Sequence, residues 1–287
     1  MKKIILGIAI LTAIFVGCSS VQTTEPTIAN SNVLSSLTAA TGIINSILDT
    51  ATVGSTVVVP AGIYDESVIL RNGVNLDLTG VVISYSGGGP AITDNGAPAT
   101  CAVIGNAIIL NPTLYIYDIY GNVVNCYDGA AVDIFSSNSD ITLTCDSIIG
   151  DMRGVDTYGD LNLVATSVVG KKDCAVEIRP YAHAIITANL TAKGDSGYFG
   201  CNSGVGGVAI YAVNNNDTVT VNGDVVAYWD YTAKAGINST IMINGSLSYF
   251  GPRTPTSGNV IISGATINLS IEDQPGNSDG HRNKFKK

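Results

Sequence analysis

The sequence is poor in charged residues and in the residue types that most often carry catalysis. Charged residues make up 13% of the 287 positions, and there are two histidines and one tryptophan. A serine-protease triad needs a histidine base beside its nucleophile, and neither His183 nor His281 is placed to serve the Gly-Asp-Ser-Gly segment at 194–197. The cysteines show no zinc-ligand spacing. The sequence therefore predicts no protease triad and no metal centre of the zinc type.

Basic residues are scarce relative to acids. There are 14 Lys and Arg against 23 Asp and Glu, which gives a formal net charge of −9. An acidic body repels the phosphate backbone that supplies most of the affinity for nucleic acid. We therefore exclude nucleic acid as a partner.

Long apolar runs are confined to the N-terminus, although 46% of the residues are hydrophobic. No later segment is long enough to cross a bilayer, so the apolar side chains are expected to fill a core. The 32 glycines, with abundant Val, Ile, Thr and Asn, favour short strands joined by tight turns. The composition predicts an all-β fold.

The N-terminus has the pattern of an export signal. Two lysines, Lys2 and Lys3, precede a mostly apolar run at 4–16, which suits a signal peptide and is short for a spanning helix. The run ends in Phe-Val-Gly-Cys-Ser-Ser at 15–20, which resembles the bacterial lipobox. The resemblance implies cleavage after residue 17 and lipidation of Cys18, with several acyl chains anchoring the protein to a membrane.

The resemblance also implies a location. Ser19, and not Asp, follows the cysteine, which by analogy favours the outer membrane where the cell has one, with the body periplasmic or exposed at the surface. We expect residues 18–30 to be a flexible tether. Residues 274–287 are expected to be a disordered tail.

The body of the chain contains internal repeats of about 20 to 30 residues. Three groups of similar segments occur, at 141–150 and 161–170, at 219–223, 241–245 and 260–264, and at 131–134, 154–157, 175–178 and 207–210. Strands of three to five residues in such repeats cannot bury their inward side chains alone, but they can when successive turns stack. The repeats predict a right-handed, single-stranded parallel β-helix over 52–273. An amphipathic helix at 31–51 is expected to cap its open end.

The first turn supports this fold. Residues 51–80 contain a Pro-x-Gly-x-Tyr-x-Glu unit formed by Pro60, Gly62, Tyr64 and Glu66. The unit resembles the first coil of the pectate-lyase-like β-helix superfamily. The resemblance implies the fold, but the catalytic motifs of polygalacturonases, pectate lyases and pectin methylesterases do not accompany it.

The third group of repeats suggests a ligand-binding surface. Because side chains alternate along a strand, residues between the inward Val and Ile positions should point outward in two columns. In our alignment the first column is Asp133, Asp156, Glu177 and Ala209, and the second is Phe135, Tyr158, Arg179 and Tyr211. Aromatic faces beside carboxylates suit sugar rings and their hydroxyls, so polysaccharide is the predicted ligand. The insertion at 194–204, with Tyr198 and Phe199, could wall the groove.

Three functions remain open at this point. The first is a non-catalytic module that binds polysaccharide along these columns. The second is a glycoside hydrolase or a polysaccharide lyase, the latter with carboxylate-bound Ca²⁺ and with Arg179, Lys171 or Lys172 as the base. The third is a structural or adhesive surface protein without a sugar site. No catalytic residue and no obligatory cofactor is assigned, and Ca²⁺ is the one ion that the stacked carboxylates could hold.

The cysteines of the body leave the disulfide pattern open. Cys101, Cys126, Cys145, Cys174 and Cys201 are odd in number, and export permits disulfides. We expect buried thiols that pack as small hydrophobes, with a bridge between Cys174 and Cys201 as the alternative.

Overall fold

In the computed structural model the body of the chain is a parallel β-solenoid of about eight turns, which confirms the predicted β-helix. The structure describes residues 41–111, 115–117, 123–126, 130–194, 207–213, 216–228, 232–250 and 254–269. The predicted signal peptide, Cys18, the tether and the C-terminal tail lie outside these residues. Among the described residues, no helix is both long and apolar enough to span a membrane.

Each turn of the solenoid contributes strands to three parallel stacks, in which every strand pairs with the turns before and after it. Stack 1 contains β1 (Thr56–Val58), β4 (Asn75–Asp77), β7 (Thr100–Ile104), β12 (Asp140–Thr144), the first half of β15 (Asp160–Gly170), the first half of β17 (His183–Ala192), β19 (Thr218–Val221), β22 (Thr240–Ile243) and β25 (Asn259–Ile262). Stack 2 contains β2 (Gly62–Tyr64), β5 (Val81–Ser84), β8 (Ile108–Asn111), β13 (Ser147–Gly150), the second halves of β15 and β17, β20 (Val225–Ala227), β23 (Leu247–Phe250) and β26 (Thr266–Leu269). Stack 3 contains β3 (Val68–Ile69), β6 (Ile92–Thr93), β11 (Ala130–Ile134), β14 (Arg153–Thr157), β16 (Val176–Ile178), β18 (Ile210–Ala212), β21 (Ala233–Ala235) and β24 (Thr256–Ser257).

An additional antiparallel pair interrupts this pattern between β8 and β11. It consists of β9 (Tyr115–Tyr117) and β10 (Val123–Cys126). These two strands pair with each other and not with the stacks, so they form an excursion from one turn.

The repeats found in the sequence are the stacked turns. Ile141 pairs with Leu161 and Gly150 with Gly170, which is the predicted alignment of 141–150 with 161–170. The second group is aligned in the same way, with Val219 beside Ile241. Inward Val, Ile, Leu and Ala side chains from all three stacks form one continuous core, and burial of this apolar surface is the main source of stability.

The predicted capping helix is present in the part of 31–51 that the structure describes. Helix α1 (Ile43–Thr50) begins after Gly42, whose positive φ of 70° ends the helical path, and residues up to 40 lie outside the described part. Ile44 and Leu48 are fully buried in the core at the first turn. The helix therefore covers the open end of the solenoid, as expected.

The Pro-x-Gly-x-Tyr-x-Glu unit joins this helix to the first turn. The Glu66 carboxylate accepts hydrogen bonds from the backbone N–H groups of Ile44, at 2.8 Å, and Asn45, at 3.2 Å. These N–H groups have no partner within the helix, and a carboxylate at a helix N-terminus is also favoured by the helix dipole. The Tyr64 hydroxyl donates to the Pro60 carbonyl at 2.7 Å. Glu66 and Tyr64 of this unit therefore have structural roles, since their side chains bond the helix and the backbone of the first turn.

Candidate functional site

The three acid-bearing strands of stack 3 lie directly on one another, as the sequence predicts. Asp133 pairs with Asp156, and Asp156 pairs with Glu177. Successive members of this column are one turn apart, ~4.8 Å in a parallel sheet. The predicted outward row of Phe135, Tyr158 and Arg179 follows these residues by two positions, and each of its members lies one residue past the end of its strand.

The fourth strand is shifted by two residues from the alignment made on sequence. Tyr211 pairs with Glu177 in the first column, and Ile210, not Val208, pairs with Val176. Placing Ala209 in the acidic column was therefore wrong. The segment before β18 is an insertion, so the spacing to the preceding strand is not constant. The sequence alone therefore allowed either 208–210 or 210–212 to be taken as the apolar–x–apolar strand of this turn. The predicted wall at 194–204 falls outside the described residues beyond Gly194.

The corrected column continues past the acids into a cationic position. Tyr211 pairs with Lys234, and the Lys234 Nζ lies 4.7 Å from the centre of the Tyr211 ring. A cation over an aromatic face is attracted by the ring quadrupole. The column therefore changes from acidic to aromatic and then to basic along the solenoid.

The acids point away from the lumen, yet they are buried, contrary to the solvent exposure normal for such positions. The exposed fractions are 7% for Asp133, 3% for Asp156 and 5% for Glu177. Buried charges are costly unless they are paired. The strands are consequently buried on both faces, which is why their burial does not alternate.

Two arginines neutralise part of this charge. Arg153 Nε lies 2.9 Å from Asp173 Oδ2 and 2.8 Å from Glu177 Oε2, and its Nη1 lies 3.2 Å from Asp156 Oδ2. Arg153 is itself buried. Sequence reasoning missed both Arg153 and Asp173, although charged residues next to the acid-bearing strands are conspicuous in a chain with so few charges.

Arg179 also holds Asp156. Its Nε and Nη2 bond the two Asp156 oxygens at 2.8 and 2.7 Å, and its Nη1 lies 3.1 Å from Glu177 Oε1. Burial by itself lowers the pKa of Arg179, but the hydrogen bonds and charge of Asp156, together with Glu177, outweigh this and raise the pKa above its ordinary value. Arg179 is thus a poor proton acceptor, which argues against the lyase base suggested by the sequence.

We refer to Asp133, Asp156, Asp173 and Glu177 with Arg153 and Arg179 as the acidic cluster. Four carboxyl groups face two guanidinium groups. Burial raises the pKa of Glu177. The charge of Arg153 opposes this effect, and the charge of Asp156 adds to it. The cluster therefore retains at least one proton more readily than exposed carboxylates would.

Asp133 differs from the other members because, within the described residues, its carboxyl group has no hydrogen bond and no ion pair. Among the described residues, Asp133 Oδ1 is buried with no hydrogen-bond partner, and no ion pair reaches its carboxyl group. Burial and the charge of Asp156 raise the pKa of Asp133 from its ordinary 3.8 to about 8, against the opposing effect of the two arginines. At neutral pH this carboxyl group is mostly protonated.

A nearby aspartate shows what a structural buried acid looks like in this fold. Asp94 is fully buried, and its carboxylate accepts hydrogen bonds from the backbone N–H groups of Phe135 and Ser136, each at 2.9 Å, and from the Ser139 hydroxyl at 2.7 Å. Such bonds offset the cost of burial. Among the described residues, Asp133 has no comparable set of hydrogen-bond donors.

The second outward row supplies an exposed edge to the cluster. Phe135 is 48% exposed and Tyr158 is 36% exposed, and the Arg179 guanidinium lies 5.5 Å from the centre of the Tyr158 ring. The guanidinium contact fixes the ring between Phe135 and Arg179. Two aromatic faces one turn apart thus border the buried acids.

Within the described part of the chain, the residues that could hold a metal ion are carboxylates of the acidic cluster and a thiol beside them. Asp173, Cys174 and Glu177 bring one ligand atom each within 4.8 Å of one another. However, the Arg153 Nε contacts both carboxylates of this group, so a guanidinium already supplies the positive charge there. Calcium on the stacked carboxylates stays a prediction.

The cysteines whose side chains the structure describes are free thiols. Cys101, Cys145 and Cys174 are free and buried, so the alternative bridge between Cys174 and Cys201 is wrong. Cys201 and the side chain of Cys126 lie outside the described residues. Burial raises the pKa of Cys101 to about 11 and of Cys145 to about 12, and places the pKa of Cys174 above its ordinary value.

Comparison with known proteins gives no further assignment. No protein-family model matches the chain, and neither the curated proteins nor the solved structures contain a significant match. The function must therefore be argued from the geometry.

Proposed function

We propose that this protein is an exported, lipid-anchored β-solenoid that binds polysaccharide along the outward face of stack 3. The observation that carries the proposal is the pairing of an exposed aromatic row, Phe135 and Tyr158, with the unpartnered Asp133 carboxyl group beside it. Aromatic faces stack on the C–H surfaces of sugar rings, and carboxyl groups bond their hydroxyls. Turns that repeat at ~4.8 Å suit an extended polymer.

The fold and the sequence support the remaining parts of the proposal. A parallel solenoid capped by a helix whose N-terminus is held by Glu66 is compatible with membership of the pectate-lyase-like superfamily. The pattern around Cys18 supports lipidation and an envelope location, with the outer membrane as the expected site.

The test is binding of the full-length protein, purified in mild detergent, to a glycan array. In the double variant Phe135→Ala/Tyr158→Ala we expect at least ~10-fold weaker binding, since aromatic stacking contributes about 1 kcal/mol per ring beyond its buried area. The matched control is Val164→Ala/Ile185→Ala, which removes two exposed apolar side chains from stack 1. Equal binding by both double variants, or no glycan bound by the wild type, would favour a structural or adhesive role.

One observation favours hydrolysis as a second candidate. A glycosidase needs a protonated carboxyl group as acid and a second carboxylate ~5 Å or ~6.5–9.5 Å away. The raised pKa of Asp133 suits the acid, and Asp156 lies one turn away, at ~4.8 Å, close to the shorter of these separations. New reducing ends after incubation with a bound glycan would identify a hydrolase, whereas unsaturated uronates would identify a lyase.

A further inference from the structure

The arginine of the outward row is not available to an anionic ligand. Its Nε and Nη2 atoms bond Asp156, and its Nη1 atom contacts Glu177. A uronate would need this guanidinium fork to face the solvent. The guanidinium group of Arg179 is thus engaged by protein carboxylates and is not free to bind the carboxylate of a uronate.

The charge balance of the site also opposes an anionic polymer. The acidic cluster has two more carboxyl groups than guanidinium groups, and all four carboxyl groups lie in stack 3 or next to it. The next cation along the column, Lys234, is two turns beyond Glu177 and lies over the Tyr211 ring. Both guanidinium groups are held by these carboxylates, so a polymer with a carboxylate on each residue would meet no free counter-charge in the cluster.

Asp133 is the member of the acidic cluster whose carboxyl group can still form hydrogen bonds with a ligand. Its side chain is more than nine-tenths buried, it lies in register with Asp156, and within the described segments its Oδ1 has no partner. A buried polar atom without a partner costs about 1–3 kcal/mol, and a ligand that supplies a hydrogen bond recovers part of it. Burial and the charge of Asp156 raise the pKa of this carboxyl group against the opposing effect of the two arginines, so it meets a ligand as both a hydrogen-bond donor and an acceptor.

We propose that Asp133 is the sugar-recognition residue of the site, that it exchanges hydrogen bonds with a hydroxyl group of an uncharged glycan, and that the site discriminates against uronate polymers. This inference rests on the proposed polysaccharide binding and specifies its ligand class. Phe135, two residues after Asp133 and just past the end of β11, provides the adjoining aromatic face for the same sugar unit.

The experiment compares full-length wild type with Asp133→Asn, Asp133→Ala and the control Asp140→Ala by retardation in native gels that contain one polymer each. Asp140 is an exposed acid on stack 1. The probes are neutral polymers (a soluble β-glucan, xyloglucan and galactomannan), uronate polymers (polygalacturonate and alginate) and soluble chitosan as the cationic case.

We expect retardation by at least one neutral polymer and none by the uronates. Asp133→Asn keeps a donor and an acceptor, so it should bind within ~3-fold of wild type, whereas Asp133→Ala should lose ~10-fold and Asp140→Ala should not change. The asparagine variant tests folding, because it preserves shape and removes only the acid.

Three results would overturn the inference while leaving the proposed function intact. They are preferential binding of a uronate polymer, neutral binding that Asp133→Ala leaves unchanged, and chitosan binding that both Asp133 variants abolish, which would assign an ammonium partner. Absence of retardation by every polymer would remove the proposed function and the inference together.

Discussion

The unpartnered burial of Asp133 predicts a pH dependence of stability that a single substitution should remove. The pKa of this carboxyl group is about 8 in the folded protein, against an ordinary value of 3.8. Between these values the folded state holds a proton that the unfolded state has released. Stability is therefore greatest at low pH in this window and falls as the pH rises toward 8.

The magnitude follows from the proton balance. Each pH unit over which the folded state alone is protonated changes the free energy of unfolding by about 1.4 kcal/mol. Between pH 6 and pH 7.5 the contribution of Asp133 falls by about 2 kcal/mol. Asp133→Asn cannot ionise, so its stability relative to wild type should increase by that amount over the same interval.

The assay is urea unfolding of wild type and Asp133→Asn at both pH values, followed by far-UV circular dichroism. Taking the difference between the two proteins cancels the titration of Glu177, whose raised pKa acts in the same direction. Asp140→Asn is the control, because that side chain is exposed and a surface change should stay within about 0.5 kcal/mol at both pH values. A difference between Asp133→Asn and wild type that does not change with pH would refute the assignment of an unpaired, protonated carboxyl group.

Two further predictions concern the fold. Glu66→Gln removes the negative charge that accepts hydrogen bonds from two N–H groups of helix α1, so it should lower the stability by about 1–2 kcal/mol. The measurement is the shift in the melting temperature, with Asp140→Asn, at an exposed acid, as the control. The second concerns three buried thiols with raised pKa values, Cys101, Cys145 and Cys174. Iodoacetamide should leave them unmodified at pH 8 and label them only after unfolding, as measured by mass spectrometry of peptides. Rapid labelling of any of the three in the folded protein would contradict their burial.

Much of the architecture could be predicted because its signal is repeated along the chain. The alignment of 141–150 with 161–170 was correct since every inward Val, Ile or Leu of one turn has a counterpart in the next. The helix was predictable from its apolar spacing, whereas the left-handed conformation of Gly42 immediately before it was not, because glycine adopts positive and negative φ values about equally readily. The fourth strand of stack 3 was misplaced by two residues because an insertion removed the constant spacing.

The candidate site was predictable only in its outline. The column of Asp133, Asp156 and Glu177 follows from the alternation of a strand and the repeat length. Burial of these acids does not follow, because it depends on Arg153 and Asp173, which reach the cluster from outside the outward columns of the alignment. Arg179 was correctly placed on the outward row, yet its contacts changed its expected role from binding a ligand to holding Asp156.

The sequence by itself determined the parallel solenoid, its cap and the order of the acids along one stack, because periodic burial of apolar side chains permits one register for turns of constant length. The tertiary structure alone decided which charges are paired. Pairing depends on how long side chains such as Arg153 and Arg179 extend between turns, and no periodicity in the chain encodes that. The tertiary structure leaves the Asp133 carboxyl group as the one in the cluster without a hydrogen bond or ion pair among the described residues. This carboxyl group is the one that we propose contacts the ligand.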